Sequence, residues 1–439
     1  MAGSFFLLTL GCAKNQVDSR GIADSMEKAG WIRTKEPADA DLLICNSCAF
    51  ITPAKEETIE TILHMGEIKK EYPEKKLLMC GCFPQRNAEE LAKELPEVDG
   101  FFGTDAAATL VEQLEKQRVV VNPHPATPYN PAIGYDLLPG GRSAYLKIAE
   151  GCDNRCSYCA IPIIRGGFRP RPAAAILKEA EILASRMGIL EINLVSQDTT
   201  MYSDPDNPEY RLEDLLQDIS KNKKTSWIRA LYLHPAHLRK KTIEVMCSGG
   251  KILPYFDLPT QHLSDPILDR MGRKTDWKRI SELCATIRGL SPQATIRTTV
   301  IVGYPDENET DFQLLCNRLK ELRFDKLGAF RYSPEEGTRA AEARPHPDTV
   351  ISKRFDRVMR LQKKISADLL AKRCGTILPV LIEERVKGEE NLFIGRSPAD
   401  APDVDGCVVV SSKKQDITGT IIPVKILRAT EYDLYGEEP

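Results

Sequence analysis

From residue 5 to residue 332, short apolar runs alternate with stretches of helical periodicity, which confines the chain to parallel sheets joined by right-handed crossovers. The N-terminal part runs FFLLTL (5–10), an amphipathic stretch Ser19–Ala29, DLLIC (41–45), a helix-like Ala54–Glu71, KLLMC (76–80) and a further candidate strand in GFFGTD (100–105). These predict an α/β domain over 1–122. Five prolines and no periodicity over 122–141 read as an extended linker, bounded at 123–141. Six more apolar runs follow, at 143–149, 191–195, 228–233, 255–258, 295–302 and 326–332, separated by helical patterns such as Ala173–Met187, Arg211–Lys221 and Glu309–Leu322. Six strand–helix units predict a partial (β/α) barrel over 142–373, open on one side, with its chemistry at the carboxyl ends of its strands. A long charged helical pattern, Thr349–Arg373, precedes short β-rich runs with Gly and Asp turns, which predict a small antiparallel barrel over 374–439.

A length of 439 residues suits about three domains, and 42% apolar with 28% charged residues is ordinary for a globular protein. No apolar run reaches the ~20 residues that span a bilayer. The opening MAGSFFLLTLGC imitates a lipoprotein signal, but no Lys or Arg precedes its short apolar run, so a buried strand and a cytoplasmic location are expected. Thirteen cysteines in a reducing compartment point to metal rather than disulfides.

The densest chemical signal is GCDNRCSYC (151–159), a C-x3-C-x2-C triplet directly after the apolar run SAYLKIAE. Three thiolates on one tight loop can each take one iron of a four-iron cube and leave the fourth open for a ligand. A zinc loop is the blander alternative, but zinc normally takes four protein ligands, and no second knuckle lies nearby. Together with Tyr158 and VIVGYPDENETDF (300–312), the triplet resembles the radical S-adenosylmethionine superfamily. The resemblance implies a [4Fe-4S] cluster on Cys152, Cys156 and Cys159 whose open iron binds S-adenosylmethionine, with Tyr158 against the adenine and backbone near Gly303 contacting the cofactor. Where that superfamily more usually has Gly-Glu, this chain has Asp306-Glu307.

Three further cysteines, Cys12, Cys48 and Cys82, each follow an apolar run of the N-terminal domain. The carboxyl ends of parallel strands lie together, so these three suit a second cluster. Spacing alone equally allows Cys45 with Cys48 as a redox or zinc pair, and Cys80 and Cys82 as core thiols. The order LGCAKNQVDS (10–19), CNSCAFI (45–51), GCFPQR (81–86) and then the triplet resembles the methylthiotransferase family over nearly the whole chain. That likeness implies two [4Fe-4S] clusters, the auxiliary one on Cys12, Cys48 and Cys82 and carrying the sulfur to be inserted, a radical SAM barrel in the middle and a C-terminal barrel of the TRAM, OB-like type.

Cys247, Cys284, Cys316, Cys374 and Cys407 read as scattered structural thiols, and His234, His237 and His262 as core or rim histidines near strand ends. Asp198 and Gln197 fall where a site mouth would lie, and Arg165 is either a loop support or a carboxylate contact. Within the methylthiotransferases, LGCAKNQVDS, YFDLPTQHL (255–263), GRSPADAPDVDG (395–406) and EYDLYGE (431–437) look like the branch that modifies an aspartate β-carbon on protein S-twelve of the small ribosomal subunit (RimO type). The alternative is the branch that modifies adenosine in transfer RNA (MiaB type); a non-catalytic ribosome-binding protein is a rival from another class. Residues 376–439 hold twelve acidic and seven basic side chains, net −5, which favours a basic ribosomal protein over RNA as the partner of the C-terminal barrel. An electron donor of flavodoxin or ferredoxin type is implied, and a membrane is not.

Overall fold

The computed structural model describes residues 3–123, 125 and 141–439, so most of the expected linker lies outside the described residues. Two compact units form: the N-terminal segment with Ala149–Arg171 and Ser333–Ala341, and the remaining residues of 141–439.

The first unit holds a six-stranded parallel sheet of β1 (Ser4–Thr9), β2 (Ile32–Arg33), β3 (Leu42–Ser47), β4 (Lys76–Gly81), β5 (Gly100–Phe102) and β6 (Val119–Val120), in the order β2-β1-β3-β4-β5-β6. Both faces are covered, which is why β3 and β4 read as unbroken apolar runs. On one face Leu43, Cys45, Leu77, Met79 and Phe101 pack against Ile62 and Met65 of helix α2 and Phe83 and Leu91 of helix α3. On the other, Phe5, Leu7, Ile44, Leu78, Cys80 and Phe102 pack against Ile22 and Met26 of helix α1 and Leu110 of helix α4. The helices are α1 (Ala13–Lys28), α2 (Thr52–Glu71), α3 (Cys82–Glu94) and α4 (Ala106–Gln113). Each large apolar side chain buried this way contributes roughly 1.5–3 kcal/mol.

The periodicity placed the first helix at Ser19, yet α1 starts at Ala13. Its first turn buries Lys14 and Asn15, so the apolar stripe is interrupted where polar groups have other work. The segment 149–171 joins this unit through a short antiparallel ladder, Glu150 opposite Arg169, and through Ala160 and Ile164 in the core. Segment 333–341 is held by Glu335, whose buried carboxylate accepts from Lys55 at 2.7 Å and Arg86 at 2.6 Å.

The second unit contains the six expected barrel strands as two three-stranded parallel sheets, Ser143–Lys147, Glu191–Val195, Trp227–Ala230 and Tyr255–Gln261, Thr295–Val302, Lys326–Arg331. A hydrogen bond from Leu233 N–H to the Asp257 carbonyl (2.8 Å) continues one sheet toward the other. Among the described residues no ladder joins the two outer strands, so the arc stays open. After helix Asp348–Ala371, five strands close a barrel, Ile377–Arg385, Leu392–Arg396, Val408–Ser411, Ile421–Ala429 and Leu434–Glu437. It is antiparallel except where Val408–Ser411 pairs in parallel with Leu434–Glu437. Up-and-down alternation around a ring of five strands cannot close without one such pair. Among the described residues no helix is long and apolar enough to cross a membrane.

The acidic stretch of the C-terminal barrel is not the open partner surface its charge suggested. Asp400 is buried and pairs with Lys326 at 2.7 Å, and Asp405 accepts from Tyr255 at 2.5 Å and lies 3.5 Å from Arg297. Asp403, itself exposed, accepts from Tyr145 at 3.0 Å. Beside them Glu191 sits between Arg229 (3.1 Å) and Arg396 (2.6 Å). These partners cluster toward the amino ends of the arc's strands, so Asp400 and Asp405 are spent on a seam inside the unit, while Glu384, Glu389, Glu390, Asp416 and Glu437 stay exposed.

Candidate functional site

The sheet order makes β1 and β3 neighbours whose crossovers diverge, and such a switch point opens a crevice beyond the carboxyl ends of the strands. Cys12 caps α1 after β1, Cys48 follows β3, and Cys82 opens α3 after β4. Two glycines bring them close. Gly11 has φ +92°, and a Cβ on it would lie 2.7 Å from the Cys48 Cβ. Gly81 has φ +95°, and a Cβ there would meet Asn46 Oδ1 at 2.3 Å and the Ser47 carbonyl at 2.8 Å.

Asn15 holds the three loops together and is fully buried. Its Nδ2 donates to the carbonyls of Leu10 and Ser47, each at 3.0 Å, fixing the ends of β1 and β3. Its Oδ1 lies 3.7 Å from Cys82 Sγ and 4.0 Å from Cys12 Sγ. Sequence reasoning passed over this residue; the one signal was a polar side chain in the first turn of a helix straight after a cysteine.

Arg165 ties this crevice to the triplet segment. Its buried guanidinium donates to Asn15 Oδ1 (2.8 Å), Asp18 (2.9 Å), both oxygens of Glu150 (3.1 and 3.0 Å) and Cys82 Sγ (3.4 Å). Of the two roles open to it in the sequence, it fills both, as loop support and carboxylate contact. Burial works against its charge, but Cys82, Glu150, Asp18 and Cys12 outweigh burial and hold the cation firmly. Burial likewise pushes the Cys12 thiol up, yet Lys14, Arg165 and the backbone N–H groups of Asn15 and Lys14 prevail and its pKa falls below the ordinary value. Burial with the neighbouring Cys82 and Cys12 pushes Cys48 up to about 12, and burial also raises Cys82 against the pull of Arg165. Cys45 and Cys80 are fully buried within strands, packed on opposite faces of the sheet.

The triplet occupies an irregular loop. Cys152 N–H donates to the Gly166 carbonyl and Cys159 N–H to the Cys156 carbonyl, both at 3.1 Å. Asn154 donates to Cys152 Sγ at 3.4 Å, and Ala340 N–H to the Ser157 carbonyl at 2.9 Å. All three cysteines and Tyr158 are half-buried, so the thiols stay reachable. Gly303 belongs to the other unit, at the end of strand Thr295–Val302, where its N–H donates to the buried Glu307 carboxylate. Glu307 also accepts from Arg354 at 3.0 Å and meets His262 Nε2 at 3.3 Å.

As a donor set, two groups of three thiols, one with a buried guanidinium to balance negative charge, fit iron–sulfur ligation with an open position better than a four-ligand zinc knuckle. Other candidates contribute less. Asp198, His234 and His237 offer donor atoms within 4.8 Å of one another. His234 Nδ1, however, accepts from Ala236 N–H, so its proton sits on Nε2, and burial with Arg273 pushes its pKa down to about 2. It is a neutral ring stacked on His237. Cys284 and Cys316 are buried and Cys374 is exposed.

Residues 4–103 match the uncharacterized protein family UPF0004, residues 146–319 the radical SAM superfamily and residues 374–438 the TRAM domain. Over its full length the chain is similar to proteins named ribosomal protein uS12 methylthiotransferase RimO. It is 40% identical to that of Carboxydothermus hydrogenoformans, covering 99% of each chain, and 41% identical to that of Caldicellulosiruptor saccharolyticus, covering 98% of each. In fold it resembles the radical S-adenosylmethionine methyltransferase TsrM of Kitasatospora setae, with a TM-score of 0.56 over 78% of this chain and 77% of that one, at 12% identity.

Proposed function

This chain belongs to the RimO-type ribosomal protein uS12 methylthiotransferases of the radical SAM superfamily, and from that membership we infer that it attaches a methylthio group to the β-carbon of an aspartate in uS12. The observation that carries the reading is the meeting of Cys12 and Cys82 at Asn15, with Cys48 against Gly11, joined through Arg165 to the segment bearing Cys152, Cys156 and Cys159. Cys152, Cys156 and Cys159 would hold one [4Fe-4S] cluster with S-adenosylmethionine on its open iron, and Cys12, Cys48 and Cys82 a second. Bound there, these groups supply the radical cleavage that an unacidic aliphatic C–H bond requires, and the sulfur to be transferred.

The residues of the chain divide the remaining work. Asn15 fixes the loop carrying Cys12 and the end of β3, so the thiols are placed before any iron arrives. Arg165 donates to Cys82 and balances negative charge in a buried site. Glu307 braces the Gly303 turn, whose backbone faces the cofactor in this reading, while Tyr158 packs on the adenine. The domain limits proposed are 1–122, a linker over 123–141, 142–373 and 374–439. A ribosomal substrate implies work in the cytoplasm, with a flavodoxin- or ferredoxin-type protein giving the electron.

Changing Cys152, Cys156 and Cys159 together to Ala should abolish deoxyadenosine formation while iron stays in the N-terminal site. Changing Cys12, Cys48 and Cys82 to Ala should leave deoxyadenosine formation intact and stop methylthiolation. Mass spectrometry of uS12 and transfer RNA from a deletion strain fixes the substrate: loss of the modification from uS12 is expected, and loss from transfer RNA alone would overturn the reading.

A further inference from the structure

Helix Asp348–Ala371 packs one face against the arc through Ile351, Val358, Gln362 and Ile365 and turns the opposite face to solvent. On that outer face Lys353, Arg357, Arg360 and Lys364 are all exposed. Their spacing of four, three and four residues sets them in one row along a side of the helix, roughly 16 Å long at 1.5 Å per residue. Little in the protein neutralises the row. Among the described residues the ion pairs of the helix's cations are made by Arg354, Arg357 and Lys363, and neither Lys353 nor Lys364 has one. Arg360 donates to the backbone carbonyl of Asp356 and, among the described residues, has no ion pair. Arg357 is shared with Gln313 at 2.6 Å and Glu309 at 3.6 Å. Of the nearby acids, Asp368 is engaged by Arg323 at 3.1 Å, and Asp356, exposed three residues after Lys353 and four before Arg360, sets a single carboxylate among these four cations.

We propose that this row is a docking surface for the phosphate backbone of RNA, gripping the nucleic acid around the protein substrate without reading its sequence. Two features favour RNA over an acidic protein. The cations repeat at even intervals on flexible stems, which suits a regularly repeating anion and releases condensed counterions on binding. A protein interface would instead need apolar or aromatic anchors at its centre, and none of the exposed large hydrophobic side chains lies on this helix. The reading also separates two tasks that net charge had merged, since an acidic C-terminal barrel says nothing about a basic helix before it. For its biological setting the proposal rests on the ribosomal substrate argued above, but its test does not.

The test measures fluorescence anisotropy of the reconstituted full-length protein with a fluorescein-labelled single-stranded polyuridylate RNA across a potassium chloride series. Comparison is with a variant carrying Lys353→Gln, Arg360→Gln and Lys364→Gln, and with the same positions changed to Glu. Loss of three phosphate contacts should weaken binding on the order of tenfold at low salt and flatten the log–log salt slope by about 2, at ~0.7 per contact for a single strand. The Glu variant should bind more weakly still, while both variants keep the wild-type melting temperature and methylthiolate free uS12 at the wild-type rate. Wild-type protein that fails to bind the RNA, or a Gln variant with unchanged affinity and slope, would overturn the proposal. Unchanged RNA binding with loss of flavodoxin-supported deoxyadenosine formation would overturn it too, and give the row to an acidic protein. Failure of wild type to methylthiolate uS12 would instead count against the proposed function, because the anisotropy needs no turnover.

Discussion

Single residues in this protein do work whose removal has predictable signs. Arg165→Met would leave Asp18 and Glu150 without their cation and Cys82 without its donor; breaking a buried charged network costs about 3–5 kcal/mol. Arg165→Lys should be milder because charge survives, but a point charge cannot reproduce the fork. Iron content of the Cys152/156/159→Ala background and the thermal melt check both: iron loss should follow Met more than Lys. In cluster-free protein the thiols should differ in reactivity. With its pKa below the ordinary value, Cys12 should be alkylated at a lower pH than Cys48, whose pKa is near 12, and peptide mass spectrometry across a pH series reads the order. Equal rates would refute the electrostatic picture of the crevice. Asp306 sits at φ 63°. Asp306→Gly should therefore raise the urea midpoint, by about 1 kcal/mol of relieved backbone strain.

At the level of elements, the junctions between strand and helix matter more than the strands. Gly81→Ala at the β4–α3 junction places a methyl group against Asn46 and Ser47 in a left-handed backbone. It should cost at least about 1–3 kcal/mol and displace Cys82, seen as lower iron content in the N-terminal site than for Gly250→Ala. Gly250 has the same sign of φ and open space around it, so it controls for backbone strain alone. The strands were legible because buried parallel strands write themselves as apolar runs, and the six barrel runs all fall on strands of the arc. The start of α1 was not, because Lys14 and Asn15 turn polar groups inward and erase the amphipathic signal. The six cysteines could be singled out from spacing and likeness, whereas Asn15 could not. Its importance lies in carbonyl groups of Leu10 and Ser47, and backbone acceptors leave no mark in a sequence.

For the whole molecule, the largest difference between sequence and structure concerns charge. Composition counts acids without saying what they face, so Asp400 and Asp405 looked available when they are paired with the barrel. Asp400→Ala should leave Lys326 buried without its partner and destabilise by about 3–5 kcal/mol; a thermal melt checks this. The pH dependence has a definite sign. Burial raises the Glu191 carboxyl, but Arg396 and Arg229 more than reverse that and hold it at about 2 against an ordinary 4.5. Its contribution is therefore complete above pH 4.5 and is lost as pH falls toward 2, so acid should loosen the second unit, an effect that Glu191→Gln should flatten. The seam has a further consequence for how such proteins can be recombined. An apolar junction accepts any partner of suitable shape, but one built from matched ions works like a lock with charged pins. A C-terminal barrel grafted from a distant relative should seat only if it brings counterparts of Arg396, Asp400 and Asp405 to meet Glu191, Lys326 and Arg297, and chimaeras that swap one half of a pair should fail as folds before they fail as enzymes.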